Sequence, residues 1–478
     1  MINIFKKSAL CAGIISLLLI GLISFFDIGL AVGLLLLIFL IAVTFLILLK
    51  AGFRDKKLYL LFLIALSIHL SATLFIYYAN FRPFGGGGDF DLYQKDSIEL
   101  ANRFKQGNFS LIGTYSEHYF SPMIAVIYVL TLPRTIVGLS FITFLACFSI
   151  LLVYLIILEI GGSKNTAFII GLIAAVYPSY LYFGSVLLKD TVIIPLVLLG
   201  MLLAVKIFKN FNGLGFLVFF GALTGAIHFR FYIGYALLLA FLLSWFVVSN
   251  FKLKERIIFS LTIIFLLGFS PQIAGYGYYG GKMFATYFNK QTIKNFREIV
   301  YAPKKAPVAV TSTINPPVAI NPPAKPTIVE NKAEGVGSSF PIEVSFENPV
   351  KFGRNYFLSF ISSLFGPFPW QIRYKRHLFF LFETIPLYFF FFIIIYGMYK
   401  SIKTEGFIQF LKSYKYAFPL AMFCIIATGA LSLYINNFGI IARIRIPIFI
   451  SLLCIMALAF NYIELKIGKK IKAIRLLT

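Results

Sequence analysis

The chain has 478 residues, of which 60% are hydrophobic and 13% charged, with a mean hydropathy of +0.89. A soluble chain is about 45–50% apolar and about 25% charged, so this surplus excludes a cytosolic enzyme, a secreted disulfide scaffold and a disordered chain. A net charge of +25 would suggest nucleic acid in a soluble protein, but long apolar runs and basic connections fit the cytoplasmic ends of membrane helices instead, with no nucleic-acid partner.

The runs are continuous rather than alternating, which excludes a β-barrel. The fold class expected is therefore all-α, a polytopic integral membrane helical bundle with juxtamembrane helices in its outer loops. A crossing needs about 20 apolar residues. In chain order the runs predict twelve transmembrane helices, at 9–26, 29–49, 58–80, 135–158, 166–184, 190–208, 213–229, 232–250, 257–274, 378–399, 414–434 and 441–461. A further run, 119–133, is short and holds Pro122 and Pro133, and reads as a re-entrant or interfacial helix or a thin crossing. The N-terminus resembles a signal peptide but is read as a retained first helix. With it in the cytoplasm, Lys6/Lys7, Lys50–Lys57, Lys164, Lys206/Lys209, Lys252–Arg256, Lys400–Lys415 and the Lys466–Arg475 tail all fall on the cytoplasmic side. Both termini are then cytoplasmic, and the expected location is the plasma (inner) membrane.

This topology sorts the chain into two extra N-terminal helices (1–57), a central module (58–274) with a first outer loop at 81–118, a long outer loop at 275–377, and C-terminal helices with a basic tail (378–478). Within the long loop, 280–301 has helical apolar spacing, 303–326 is a proline-rich tether, and 354–377 is aromatic and ends in a basic cluster. Cys11, Cys147, Cys424 and Cys454 lie in apolar runs without a CxxC, so neither a disulfide nor a zinc site is expected.

Charges at membrane level survive only with a partner or a wet cavity, and here they gather at the predicted outer side. After Gly85–Gly88 come Asp89 and Asp91, then Tyr93, Ser97, Leu100, Ala101 and Phe104 on one face of a short amphipathic helix. A glycine hinge carrying solvated acids is the plainer alternative. Asp190 follows Lys189 at the outer end of a span, where a local ion pair or a helix cap would also explain it. Arg230, Arg373, Lys375, Arg376, Arg443 and Arg445 supply opposite charge, and 373–376 could equally anchor the next helix. His69 and His228 read as packed, His118 and His377 as edge residues, Glu159 and Glu383 as helix-end caps or pairs. No P-loop, dinucleotide fingerprint, HExxH or G-x-S-x-G is present in the sequence.

Acids in the first outer loop plus arginines at membrane level suit a lipid-linked phosphosugar. Arginines bind the phosphate, and a carboxylate takes the proton of an acceptor hydroxyl. The segments GGGGDFD, DLYQKDSIELANRFKQGNF and YFSPMIAVIY together resemble the amino-terminal module of polytopic GT-C glycosyltransferases. These include the protein O-mannosyltransferases, the lipid A aminoarabinose transferases and the bacterial Rgt-type transferases. The resemblance covers mainly 58–250, with weaker echoes in GPFPWQ and NNFGIIARIRIP of bacterial polysaccharide-type membrane proteins. It implies a polyprenyl-phosphate sugar donor, an extracytoplasmic lipid, glycan or protein acceptor, and inverting transfer. It implies a catalytic acid at Asp89 or Asp91 and a second acid at Asp190, while charge and predicted sidedness make Arg230, Arg373, Arg376, Arg443 and Arg445 the candidates for binding the lipid phosphate. It leaves open a divalent metal, Mg or Mn. Two extra N-terminal spans and the lack of a large folded carboxy-terminal domain depart from that pattern. An O-antigen-type polymerase or ligase, using polyprenyl-pyrophosphate glycans, fits the arginines equally well and the early acids less well. A non-enzymatic lipid or glycan transporter is the third reading.

Overall fold

The computed structural model describes residues 18–83, 89–110, 119–267, 284–297, 348–372 and 377–475. The glycine run, His118, the proline-rich tether, Arg373, Lys375 and Arg376 lie outside the described residues, as does part of the predicted spans 9–26 and 257–274. The described chain is helical, apart from turns and short 3-10 segments.

Among the described residues, seven helices are long and apolar enough to cross a membrane. They are α1 (Ile28–Lys50), α2 (Lys56–Tyr78), α5 (Thr135–Glu159), α8 (Asp190–Lys209), α10 (Phe231–Val248), Phe380–Glu405 within α14 (His377–Glu405), and Lys415–Tyr434, which contains α16 (Phe418–Tyr434). Two more helices, α17 (Phe438–Ile444) and the start of α18 (Ile446–Arg475), reach that length and hydropathy only together and are bent by 50° at their break, the form of a broken span or a re-entrant loop. The protein is thus a polytopic helical membrane protein.

Other predicted spans take shorter forms. The run at 166–184 is two helices, α6 (Lys164–Ala175) and α7 (Pro178–Phe183). The break falls at Tyr177, whose backbone is extended before Pro178. That is the conformation a following proline imposes. The run at 213–229 is a 17-residue helix, α9 (Gly213–Phe229), and the run from 257 is α11 (Leu253–Leu266).

Helices α5, α8 and α10 form the interior, with most of their residues buried, whereas α1, α2 and α14 form the rim. Rim side chains such as Phe39, Ile47, Leu60, Phe75, Phe389 and Phe392 are exposed apolar surface that only lipid would cover. One end of the bundle collects basic connections. There Lys164 pairs with Asp55 at 3.1 Å, Lys209 with Glu159 at 2.9 Å, and Lys415 donates to Asn250 at 2.7 Å.

The opposite end carries two helices laid across it, α3 (Asp89–Lys105) and α4 (Phe120–Leu130). At 1.5 Å per residue, α4 is about 16 Å long, far short of a hydrocarbon core of about 30 Å. It packs mainly on α3 and is too short to cross on its own. Tyr93, Ser97, Leu100 and Ala101 form the buried face of α3 and meet Phe120, Ile124 and Tyr128 of α4. Between α11 and α14, α12 (Lys290–Asn295) and α13 (Pro349–Phe365) are helical. A short helix, α15 (Phe407–Ser413), joins α14 to the Lys415–Tyr434 span.

Candidate functional site

The site is assembled where the first turn of α3, the start of α8, the junction of α9 and α10, and α17 meet. Each brings one charge. Asp89 opens α3 and Asp190 opens α8, and a carboxylate at a helix N-terminus is favoured by the unpaired N–H groups there. Arg230 lies in extended backbone between α9 and α10, which frees its side chain to reach across. Arg443 sits in the last turn of α17, a helix capped by the Asn437 side chain at its start.

Arg230 grips Asp190 with two parallel bonds, Nε to Oδ1 at 2.8 Å and Nη2 to Oδ2 at 3.1 Å. Arg443 bridges the two acids, with Nη2 3.0 Å from Asp89 Oδ2 and Nε 3.3 Å from Asp190 Oδ2. The second contact is an ion-pair approach rather than an aligned hydrogen bond. The Asp190 side chain is only 5% exposed, whereas that of Asp89 is 41% exposed. Lys189 is buried alongside, and desolvation together with the Arg230 cation lowers its pKa to about 7. Tyr93 is buried beneath the cluster, and desolvation and the Asp89 carboxylate push its phenol up.

The remaining predicted residues go elsewhere. Asp91 pairs with Arg82, at 2.8 and 3.3 Å, on another side of α3. Arg445 belongs to a second, fully buried network. Its Nη1 donates to the Gly366 carbonyl at 2.6 Å, its Nη2 lies 3.4 Å from Glu383, and its guanidinium stacks over Phe449 at 4.7 Å. Glu383 also accepts from Tyr177 and Ser179. Arg445 is therefore engaged by other parts of the chain, whereas Arg443 faces the two acids. Arg82, Gln94 and Arg297 escaped the sequence reading. For Arg82 the signal was present, a cation at the non-basic end of a span. Arg297 is 4% exposed and donates to the Leu433 carbonyl at 3.4 Å and to that of Ser432.

Two cavities border this end. One, of about 690 Å³, is an apolar groove running along α10 and α16, from Tyr232 and Leu433 to Leu239 and Ile425, with Tyr356 and Phe360 of α13 as its wall. Tyr232 is two residues beyond Arg230. The other, of about 510 Å³, is lined by polar and aromatic groups around Arg82 and Asp91 and by the aliphatic side chains of Ile76, Leu139, Val186 and Leu187. Among the described residues no three His, Cys, Asp or Glu side chains are placed to hold a metal ion. Asp89 and Asp190 share a guanidinium instead, so the donors do not fit a divalent ion and no step is assigned to one.

No protein-family model matches the chain, and no curated protein matches it in sequence.

Proposed function

We propose that the protein is a GT-C-type membrane glycosyltransferase. It moves a sugar from a polyprenyl-phosphate donor to an extracytoplasmic lipid, glycan or protein acceptor, with inversion. The observation that carries this reading is the guanidinium of Arg443 shared between a half-exposed Asp89 and a buried Asp190. Arg230 and Asp190 form the fixed base of the cluster, and Arg443 is the cation with a contact to exchange. A lipid phosphate entering the site takes the place of Asp89 on Arg443, forming charge-assisted bonds. The displaced Asp89 carboxylate is then available as general base.

In the transfer step the acceptor oxygen bonds to the anomeric carbon as the carbon–oxygen bond to phosphate breaks. The hydroxyl proton passes to Asp89. The bonding pair leaves with the lipid phosphate, whose growing negative charge meets Arg443, with Arg230 and Lys189 behind it. The groove beginning at Tyr232 supports the lipid part of the reading, since it offers hydrocarbon a path from the charged mouth into the bundle. The clustering of basic connections at the opposite end supports an outward-facing site, cytoplasmic termini and a plasma-membrane location.

The test is sugar transfer from a polyprenyl-monophosphate donor by full-length protein in lipid nanodiscs. Asp89→Asn is expected to lower turnover by about 10²-fold or more, and Arg443→Ala by about 10²–10³-fold. Unchanged turnover in both variants overturns the mechanism. Glycan block transfer from a pyrophosphate carrier, with the monophosphate donor inert, would replace it by the polymerase or ligase reading. Substrate movement without a new glycosidic bond would replace it by transport.

A further inference from the structure

The cavity of about 510 Å³ beside α3 lies outside the charged cluster, and its lining has a different chemistry. Asp89 and Asp91 are two residues apart on one helix, hence about 200° apart around its axis. One carboxylate therefore meets Arg443 while the other meets Arg82. The cavity wall is built from Tyr78, Arg82, Asp91, Gln94, Tyr182 and Ser185, among others. Its size falls within the range of about 300–1,000 Å³ usual for small-molecule sites.

Three features define what fits. Arg82 and Asp91 neutralise each other through two bonds and remain half-exposed, at 35% and 49%. The cavity thus offers paired donors and acceptors without net charge, unlike the cluster of Arg230, Arg443 and Lys189. Gln94 is oriented by the Tyr128 hydroxyl, which donates to its Oε1 at 2.5 Å and leaves its amide nitrogen to donate. Tyr182 presents an aromatic ring braced edge-on by Phe81 and Phe183. An anion gains little from a neutralised pair. An apolar guest would strip water from that pair and give nothing back. A ring with hydroxyls around its edge and C–H bonds on its face suits both parts of the lining, the hydroxyls meeting Arg82, Asp91 and Gln94 and the C–H face meeting Tyr182 and the aliphatic side chains of Leu139, Val186 and Leu187.

We infer that this cavity is a binding site for a neutral sugar ring. The inference rests on the transferase reading only in assigning that ring to the acceptor, so its test measures binding, not transfer.

Full-length protein in lipid nanodiscs is mixed with methyl α-mannoside, methyl α-glucoside, methyl β-galactoside or N-acetylglucosamine. Saturation-transfer NMR reports contact, with glucose 6-phosphate and cyclohexanol as the anionic and apolar controls. At least one neutral sugar is expected to take up saturation, and both controls far less. Arg82→Gln and Asp91→Asn are each expected to weaken the signal tenfold or more. Both side chains are half-exposed, and Gln94→Leu provides a third variant from the other wall. Saturating dodecyl phosphate is expected to leave the sugar signal in place. Silence from all four sugars, a signal that survives all three variants, or displacement by dodecyl phosphate would each overturn the inference. Displacement would put the sugar in the charged cluster instead. The sugar signal and the transfer assay are read separately, so either reading can fail alone.

Discussion

Lys189 carries a charge that responds to pH near neutrality. Burial and Arg230 hold its pKa at about 7, against 10.5 for an ordinary lysine. Below pH 7 it is protonated both folded and unfolded, so the folded state carries the full cost of a buried cation. Between pH 7 and 10.5 the unfolded chain binds more protons, and stability rises with pH. The melting temperature in nanodiscs should climb by roughly 1 °C for each kcal/mol relieved in a chain of this length, and Lys189→Met should flatten the rise. The Glu383–Arg445 pair follows different rules. Both side chains are only 2% exposed, so Arg445→Met strands a buried carboxylate and should cost about 3–5 kcal/mol. Combining it with Glu383→Leu should recover most of that loss in thermal unfolding. Chain position put Arg443 and Arg445 in one functional group with Arg230. A 50° bend at Arg445 separated them, although the apolar residues around the two arginines read as one span. Asp89 and Asp91 were indistinguishable in sequence for a related reason. Which one meets Arg443 depends on the roll of α3, and its buried face of Tyr93, Ser97, Leu100 and Ala101 sets that roll.

At the scale of elements, apolar length announced the long spans, because continuous runs need no partner to be recognised. The amphipathic face of α3 was equally legible. The break at Tyr177–Pro178 and the bend at Arg445 were not, since the apolar sequence around each is long enough to read as one span. Such breaks place polar side chains deep in the bundle, as Tyr177 and Ser179 are placed on Glu383. Small residues then allow backbones to approach. Gly234 in α10 lies against α9, and a Cβ there would collide with the backbone nitrogen and Cα of Ile227. Backbone cannot swing aside as a side chain can. Gly234→Val should therefore push α9 and α10 apart at the end that carries Arg230. The expected result is a lower melting temperature together with weaker retention of lipid phosphate. Gly221→Val, where a Cβ meets nothing within 4 Å, should be neutral in both measurements.

For the whole molecule, sidedness is the property on which the functional reading depends. Cysteine placed at Arg82 or at Trp370, which is 78% exposed, should react with a membrane-impermeant maleimide added to intact cells. Cysteine at Lys164 or Lys252 should react only after permeabilisation. The reverse pattern would put the acidic and arginine-rich mouth in the cytoplasm. Arg443, held between two carboxylates of its own chain, has a further consequence for a protein immersed in lipid. The headgroups around it are mostly zwitterionic and vastly outnumber any rare carrier. A bare guanidinium would be fouled by them continually, whereas an internally satisfied one yields only to a rival anion strong enough to evict Asp89. The resting protein thus carries its own stopper, and crowding by bystander lipid leaves the doorway clear.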